Sequence, residues 1–170
     1  MVVEIEANNE IPAIGNILQG AFEKEIIDLT QQEGNLLQAT FEVESEAAFE
    51  NKAGLYQIAD ENGTVIDSLT GEAISPGESG YTQAALQRSI IDFDRNGTEP
   101  VILEGGVLYA PYMLADGKQN DAYFPYLEAN ADGLDHLRLL GDNTFAFEDL
   151  ASIGDSDYND MIFSIDLTVI

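Results

Sequence analysis

Apolar and polar side chains alternate along much of the chain, which is the pattern of β-strands that turn one face toward a core. In residues 36–44, LLQATFEVE, every second side chain from Leu37 onward is apolar. The same period recurs in residues 159–170, NDMIFSIDLTVI. One face of that segment carries Met161, Phe163, Ile165, Leu167 and Val169. Both segments are therefore predicted to be strands with one buried and one solvated face.

Turn signals divide the remaining chain into short segments. Asn62-Gly63, inside residues 54–69, is typical of a tight β-hairpin. The segment GYTQAALQRSI, which begins at Gly80, has the composition of a helix, with Thr82 as its N-cap. This division yields about eight to ten short strands and one short helix. The predicted fold class is all-β: an antiparallel β-sandwich, jelly-roll-like, with one short helix.

The chain length predicts one domain, residues 1–170. It is sufficient for a single core, and no internal repeat or domain boundary is visible. Residues 1–35 are expected to form N-terminal strands or an extension, with strand segments at VVEIEA and EKEIIDL. No apolar run approaches membrane-spanning length, so membrane insertion is not expected. We expect the domain to be part of a larger multidomain chain.

Acidic residues outnumber basic ones so strongly that the charge excludes one class of partner. The chain has 32 Asp and Glu against 6 Lys and Arg, a formal net charge of −26. A nucleic-acid binder that works through phosphate contacts is therefore excluded. So large a negative charge fits cation sites, a high-salt environment or the solubility of a surface module. The absence of cysteine excludes disulfides, thiolate metal sites and a cysteine nucleophile.

The densest group of acidic side chains is the stretch EDLASIGDSDYND, residues 148–160, which contains no Lys or Arg. Apolar segments on both sides, TFAF and MIFSIDLTVI, hold its ends in the core. Folded carboxylates this dense need a cation, and calcium accepts about six to eight oxygens in irregular geometry, whereas magnesium demands a nearly ideal octahedron. The stretch is therefore predicted to bind calcium. Its carboxylate and amide side chains are Glu148, Asp149, Asp155, Asp157, Asn159 and Asp160.

Three alternate positions of this stretch, Asp155, Asp157 and Asn159, repeat the D-x-D-x-N opening of an EF-hand loop. An EF-hand requires glycine at its sixth position, where Asp160 stands, and a helix afterwards, where a strand is predicted. An EF-hand is therefore excluded, and a calcium loop on a β scaffold is expected. The alternative is an acidic turn that is merely solvated.

A second polar segment, ANADGLDHLRLLGDN, precedes this stretch. Its Asp-Gly dipeptide is a turn signal and would present the acidic side chains of one loop together. The segment supplies either further ligands for the same ion or a second site. Its candidate metal ligands are Asn130, Asp132 and Asp135. Tyr158, the aromatic side chain expected to be exposed, and Asp142 are candidates for binding the ligand itself.

The sequence contains few residues in an arrangement typical of a catalytic site. His136 is the sole histidine, so neither a zinc site nor a Ser-His-Asp triad is expected, and its place beside two leucines suggests an outward-facing strand residue. Carboxylate pairs can hydrolyse glycosides, but clustering as dense as this favours a metal. The protein is therefore not expected to be an enzyme. The tyrosines expected in the core, rather than in a sugar platform, are Tyr109, Tyr112, Tyr123 and Tyr126.

Several motifs occur in an order that resembles a known bacterial family. They are AAFENKAGLYQI, GYTQAAL, GGVLYAPYMLADG, AYFPYLEANADGLDHLRLLGDNTFAFEDL and GDSDYNDMIF, within residues 36–170. The family is the domain of unknown function DUF4114, whose ending FEDL…GD-x-DYND the chain shares. The family occurs in large secreted and surface proteins, often cyanobacterial, beside calcium-binding repeats and adhesin modules. The resemblance implies a calcium-dependent β-sandwich with metal ligation by Glu148, Asp149, Asp155, Asp157, Asn159 and Asp160.

Two functions are consistent with a calcium-binding β-sandwich of this kind. The first is a calcium-dependent ligand-binding module of a secreted or surface adhesin-like protein. Its ligand would be a saccharide or a peptide C-terminus, held through or beside the bound calcium. The alternative is a purely structural module whose caged calcium only stabilises the fold. An extracellular or cell-surface location is expected in both cases, because free calcium is low in the cytosol.

Overall fold

The computed structural model describes residues 26–141, 143–154 and 156–170. This part of the chain forms two five-stranded sheets, one two-stranded sheet and an α-helix, α1 (Tyr81–Gln87). All strand pairs are antiparallel, so the predicted all-β sandwich with one short helix is confirmed. The strands are β1 (Ile27–Asp28), β2 (Leu36–Glu44), β3 (Lys52–Ile58), β4 (Val65–Ile66), β5 (Ala73–Ile74), β6 (Ser89–Phe93), β7 (Val101–Glu104), β8 (Leu108–Leu114), β9 (Ala122–Tyr123), β10 (Leu137–Gly141), β11 (Thr144–Phe147) and β12 (Met161–Val169).

The two large sheets are built around long antiparallel pairs. Sheet 1 has the strand order β10-β11-β12-β2-β7. Sheet 2 has the order β1-β8-β3-β6, and β9 also pairs with β8. The strand predicted at EKEIIDL is present as the short β1, whereas the one predicted at VVEIEA lies outside the described residues. β12 pairs with β2 from Ile162 opposite Glu44 to Val169 opposite Leu37, so the chain's last strand lies in the middle of sheet 1.

Alternating side chains of both sheets form the core between them. The predicted inward positions of β2 and β12 are buried from Leu37 to Phe41 and from Met161 to Ile165, which confirms these faces. The prediction fails at the end of β12, where Val169 is 38% exposed. β11 pairs with β12 only as far as Ser164, so among the described strands β2 is the one that pairs with the residues beyond it.

Strand β8, LYAPYML, is buried on both faces. One face adjoins the core between the sheets, and the other is covered by α1 and by segments around β4 and β9. On this second side the ring of Phe124 packs edge to face against Tyr56 and Tyr81. The tyrosines predicted in the core are all buried, which confirms that interpretation: Tyr109, Tyr112, Tyr123 and Tyr126.

The chain reverses direction at Asn62-Gly63, but the predicted hairpin pairing is wrong. The Gly63 amide donates to the Asp60 carbonyl oxygen (3.1 Å), and Gly63 has the positive φ of 84° that such a turn favours. The strand after the turn, β4, pairs with β5 instead of β3. The physical reason is that β6 and β8 already occupy the two edges of β3.

Helix α1 begins at a glycine cap and not at the predicted threonine. Gly80 occupies the N-cap position with a φ of 86°, and Thr82 lies inside the first turn. The helix packs on sheet 2 through Tyr81, Ala84 and Ala85. Within the described residues, no helix has the length and apolar character needed to cross a membrane.

Gly54 provides a test of the packing around β3. A Cβ at this position would lie 2.2 Å from the Ile91 carbonyl oxygen and 2.6 Å from the Tyr112 ring. We expect Gly54→Ala to lower the free energy of unfolding by about 1–3 kcal/mol, because a backbone carbonyl and a buried ring must both shift. Gly141→Ala is the matched control, since a Cβ there meets nothing within 4 Å. Urea denaturation measures both variants, and equal losses would contradict this packing.

Candidate metal centre

Three carboxylates converge where β11 ends and β12 begins. Phe147, the last residue of β11, pairs with Met161, the first residue of β12. Glu148 and Asp149 follow the first strand and Asp160 precedes the second, so the antiparallel register brings the three side by side. One carboxylate oxygen of each lies within 4.8 Å of the other two. We call these three residues the acidic triad.

The acidic triad is largely withdrawn from solvent. Glu148 is 1% exposed and Asp149 is 5% exposed, whereas Asp160 is half-buried. Two like charges 4 Å apart repel each other by about 4 kcal/mol at the effective dielectric constant of about 20 that applies near a protein surface. Dissolved salt screens buried charges much less than exposed ones. When all three carboxylates are ionised, they therefore need a positive charge close by.

Neutral donors fix the orientation of these carboxylates. The Asp149 amide donates to Asp160 Oδ2 (2.8 Å), and the Asn51 side-chain amide donates to Asp149 Oδ2 (2.7 Å). The Tyr158 amide donates to Glu148 Oε2 (3.3 Å). Because these donors carry no net charge, they aim the oxygens without balancing their negative charge.

Four basic side chains are paired with carboxylates outside the acidic triad. The pairs are Lys52 with Asp92, Arg95 with Glu50, Lys118 with Asp116 and Arg138 with Asp135. Each of these ion pairs directs its positive charge to a carboxylate elsewhere in the fold.

Asn51 connects the acidic triad to the loop that follows β8. Its side chain is buried, and its Oδ1 accepts a hydrogen bond from the Asp116 amide (2.9 Å). One amide group thus holds Asp149 at one end and a distant loop at the other. Nothing in the local pattern marks this residue, which lies 98 positions from Asp149. Its single signal in the sequence is its place in the motif AAFENKAGLYQI.

The loop before β12 passes closely over Glu148 and is strained. A Cβ on Gly154 would lie 2.6 Å from Glu148 Oε1. Three non-glycine residues of this loop, Ser152, Ser156 and Tyr158, have positive φ angles of 65°, 60° and 54°. Such backbone conformations cost about 1–3 kcal/mol each and concentrate at functional sites. The strain beside the acidic triad therefore marks this loop as part of the site.

His136 is a buried link between the acidic triad and the preceding loop, so the predicted outward orientation is wrong. The residue is 0% exposed, and its ring stacks on Tyr123 with ring centroids 3.6 Å apart. Nδ1 lies 2.9 Å from the Glu148 carbonyl oxygen, and the Glu148 amide donates to the His136 carbonyl (3.0 Å). Nε2 lies 2.7 Å from Asp132 Oδ2. Strand β10 begins only at Leu137, so strand alternation does not reach this histidine.

The imidazole ring of His136 lies between two oxygen atoms. Its two nitrogens face a carbonyl oxygen and a carboxylate. Burial raises the pKa of Asp132, but hydrogen bonds from two backbone amides and from His136 outweigh burial and lower this pKa below its ordinary value. The Glu148 carbonyl and the Asp132 carboxylate thus hold the ring at both of its nitrogens.

Asn130, a predicted ligand, is engaged with its own loop. Its Oδ1 accepts a hydrogen bond from the Phe124 amide (2.8 Å). Its Nδ2 donates to the carbonyl oxygens of Phe124 (3.1 Å) and Leu134 (2.8 Å). The side chain is buried, so these bonds hold the loop in one conformation. Metal ligation by Asn130 stays a prediction.

Tyr158, expected to be exposed, is half-buried because it packs under Arg138. The guanidinium carbon lies 4.5 Å from the centre of the tyrosine ring, and Arg138 also pairs with Asp135. The Tyr158 hydroxyl donates to the Asp135 carbonyl oxygen (2.7 Å). Burial is the main cause that raises the pKa of both Asp135 and Tyr158. These side chains form a small cluster at the rim of the acidic triad.

The remaining predicted site residues are distributed around the acidic triad. Asp157 Oδ1 accepts a hydrogen bond from the Asn159 amide (3.3 Å), and the Asn159 side chain donates to Glu46 Oε2 (3.0 Å). Asp142 and Asp155 lie outside the described residues. Among the predicted ligands that the structure describes, the carboxylates that converge are those of the acidic triad. Ligation by the other residues stays a prediction.

Comparison with known families adds one finding. Residues 100–168 match the family described as Domain of unknown function (DUF4114). The match includes every strand from β7 to β11, most of β12 and the acidic triad, and it confirms the resemblance predicted from the motifs. No curated protein and no solved structure matches the chain.

The repulsion within the acidic triad can be measured by removing one charge. We expect Asp160→Asn to raise the melting temperature in EDTA, because it removes one of three close negative charges while its amide oxygen can still accept the Asp149 hydrogen bond. Asp166→Asn is the matched control, since Asp166 is exposed on the same strand, opposite Thr40. Thermal unfolding followed by circular dichroism gives both values. A melting temperature for Asp160→Asn at or below that of the control would show that these charges are balanced within the protein.

Proposed function

We propose that the chain is a calcium-dependent binding module of a secreted or cell-surface adhesin-like protein. The observation that carries this proposal is the convergence of Glu148, Asp149 and Asp160, whose carboxylate oxygens lie within 4.8 Å of one another. Glu148 and Asp149 are almost fully buried. Buried charged side chains in proteins are usually paired with a group of opposite charge or bound to a metal ion. An oxygen-rich centre on a β scaffold is the setting in which a hard divalent cation supplies that partner.

The donor chemistry favours calcium over other divalent ions. The three converging groups are carboxylates, whereas zinc sites draw mostly on histidine and cysteine. The adjoining loop is irregular and strained, which suits the variable geometry of calcium better than the octahedron of magnesium. Calcium is abundant outside cells, and an extracellular or surface location therefore fits a site that depends on it.

The ligand would bind at the coordination positions of the calcium ion that protein oxygens do not fill. Calcium takes about six to eight oxygen ligands, and three carboxylates that are also engaged in hydrogen bonds supply only part of that number. Loop oxygens, water or a ligand provide the rest. A saccharide diol or the terminal carboxylate of a peptide offers suitable pairs of oxygens. The bound ion also reverses the sign of the local field, so a neutral or anionic group can approach a chain of net charge −26.

Low affinity for each module is compatible with adhesion. A surface protein that displays several linked modules gains avidity, because each further contact becomes intramolecular. We therefore expect single modules to bind weakly. The proposal includes no catalytic residue.

A purely structural role for the ion is the second candidate, and the loop over Glu148 favours it. A Cβ on Gly154 would lie 2.6 Å from Glu148 Oε1, so the backbone covers one side of the acidic triad. If the loop also covers the remaining sides, the ion is caged and stabilises the fold without contacting a ligand. Counting the waters bound to the ion in a crystal grown with calcium separates the two roles.

Calcium is expected to stabilise the fold. We expect the wild-type protein to melt at a higher temperature in calcium than in EDTA, with about 2.7 kcal/mol of added stability at a hundredfold excess over Kd. Glu148→Gln should lose most of this increment, whereas Asp166→Asn, whose exposed side chain lies elsewhere on β12, should keep it. Differential scanning calorimetry checks all three proteins. Equal melting temperatures of the wild type in calcium and EDTA would refute the calcium site.

Ligand binding is expected to depend on the same ion. A glycan array and a set of peptides with free C-termini, each probed in calcium and in EDTA, provide the screen, with C-terminally amidated peptides as controls. We expect at least one ligand whose signal requires calcium and is lost in Asp160→Asn. Calcium-dependent melting without any such ligand would assign the ion to the structural role.

A further inference from the structure

A polar cleft lies on the outer side of sheet 2, and no residue of the acidic triad lines it. Its volume is about 670 Å³, and it separates the start of α1 from the loop of residues 119–131. Pockets of roughly 300–1,000 Å³ are typical of sites for small ligands. Its polar lining includes Glu78, Thr82, Gln83, Gln119, Asn120 and Glu128, together with Tyr81 and the predicted metal ligand Asn130.

Three amide side chains give the cleft a capacity for hydrogen bonding that the fold leaves unused. Gln83, Gln119 and Asn120 are exposed and, among the described residues, their side chains form no hydrogen bond within the protein. Each amide offers two N–H donors and one carbonyl acceptor. A sugar hydroxyl also donates and accepts hydrogen bonds, so these amide groups are suitable partners for it.

The charge of the lining selects among saccharides. Glu78 and Glu128 line the cleft, and none of the lining residues is Lys, Arg or His. An acidic sugar would meet like charge without a balancing cation, so the cleft disfavours it. Neutral hydroxyl groups can donate to these carboxylates instead.

The walls of the cleft are held in place before a ligand arrives. On one side, the Tyr81 hydroxyl donates to the Gly63 carbonyl oxygen (2.6 Å) and anchors the first turn of α1. On the other side, the three hydrogen bonds of Asn130 fix the wall formed by residues 128–131. The two sides approach each other where a Cβ on Gly77 would lie 3.1 Å from Glu128 Cβ. A preformed cleft loses less entropy when it binds.

We propose that this cleft binds a neutral oligosaccharide through the amides of Gln83, Gln119 and Asn120, without contact between the sugar and the ion of the acidic triad. The lining residues do not include Glu148, Asp149 or Asp160. The cleft is therefore a second site, and its occupation does not depend on the function proposed for the acidic triad.

Titration with defined oligosaccharides tests this inference. The probes are neutral hexasaccharides of glucose, xylose and mannose, with an oligogalacturonate as the acidic arm and a chitosan hexamer as the cationic arm. We expect at least one neutral probe to bind in EDTA, below the melting temperature of the metal-free protein, and the oligogalacturonate not to bind. Absence of binding by every neutral probe, or a preference for chitosan that high salt does not remove, would overturn the inference.

Variants locate the binding. We expect Gln83→Ala and Asn120→Ala each to weaken binding of that neutral probe about three- to tenfold, the effect of losing one hydrogen bond. Gln87→Ala is the matched control, because it removes an exposed amide from the same helix outside the cleft. Asp160→Asn should leave the affinity for the neutral probe unchanged. The experiment therefore distinguishes failure of the calcium proposal from failure of the cleft proposal. Equal affinity of Gln83→Ala, Asn120→Ala and Gln87→Ala would place the sugar elsewhere and refute the cleft.

Discussion

Repulsion among three carboxylates that strand pairing holds together is the constraint on which the site depends. Phe147 and Met161 are buried neighbours in the register of β11 and β12. Glu148 and Asp160 adjoin them directly, so the carboxylates cannot move far apart unless core side chains move as well. Losing the packing of one such side chain costs about 2–5 kcal/mol, which is comparable to the repulsion. Core packing thus keeps the charges together, and the proposed cation removes the conflict that remains.

Buried hydrogen bonds around the acidic triad give its oxygens fixed directions. Asn51 holds the carboxylate of Asp149, and His136 holds the backbone of Glu148 from both its ring and its carbonyl group. A buried polar group left unsatisfied costs about 1–3 kcal/mol, so alternative arrangements of these side chains are disfavoured. The network therefore presents the carboxylates in one geometry, and preorganised ligands are what a selective oxygen site requires.

Local spacing predicted the strands, but the geometry of the acidic triad also depends on which strands pair and in which register. Alternation runs through β2 and β12, and the burial of one face follows from it. The stretch 148–160 stood out by its density of carboxylates, but alternate spacing emphasised Asp157 and Asn159, whereas the acidic triad forms from the two ends of the stretch. Strand register brings those ends together, and local spacing does not specify register. Asn51 was missed for a related reason, since it lies 98 positions from its partner Asp149.

The net charge and the acidic triad act on cations in different ways. A net charge of −26 attracts any cation, but at physiological ionic strength fields between exposed charges decay over about 8 Å. Most of the acidic side chains therefore hold a loose layer of ions that monovalent salt can supply. The three carboxylates within 4.8 Å of one another are largely buried, and salt screens them far less. Within the part of the chain that the structure describes, we therefore expect any preference for a divalent ion to arise at the acidic triad, where one ion can contact all three oxygens at once.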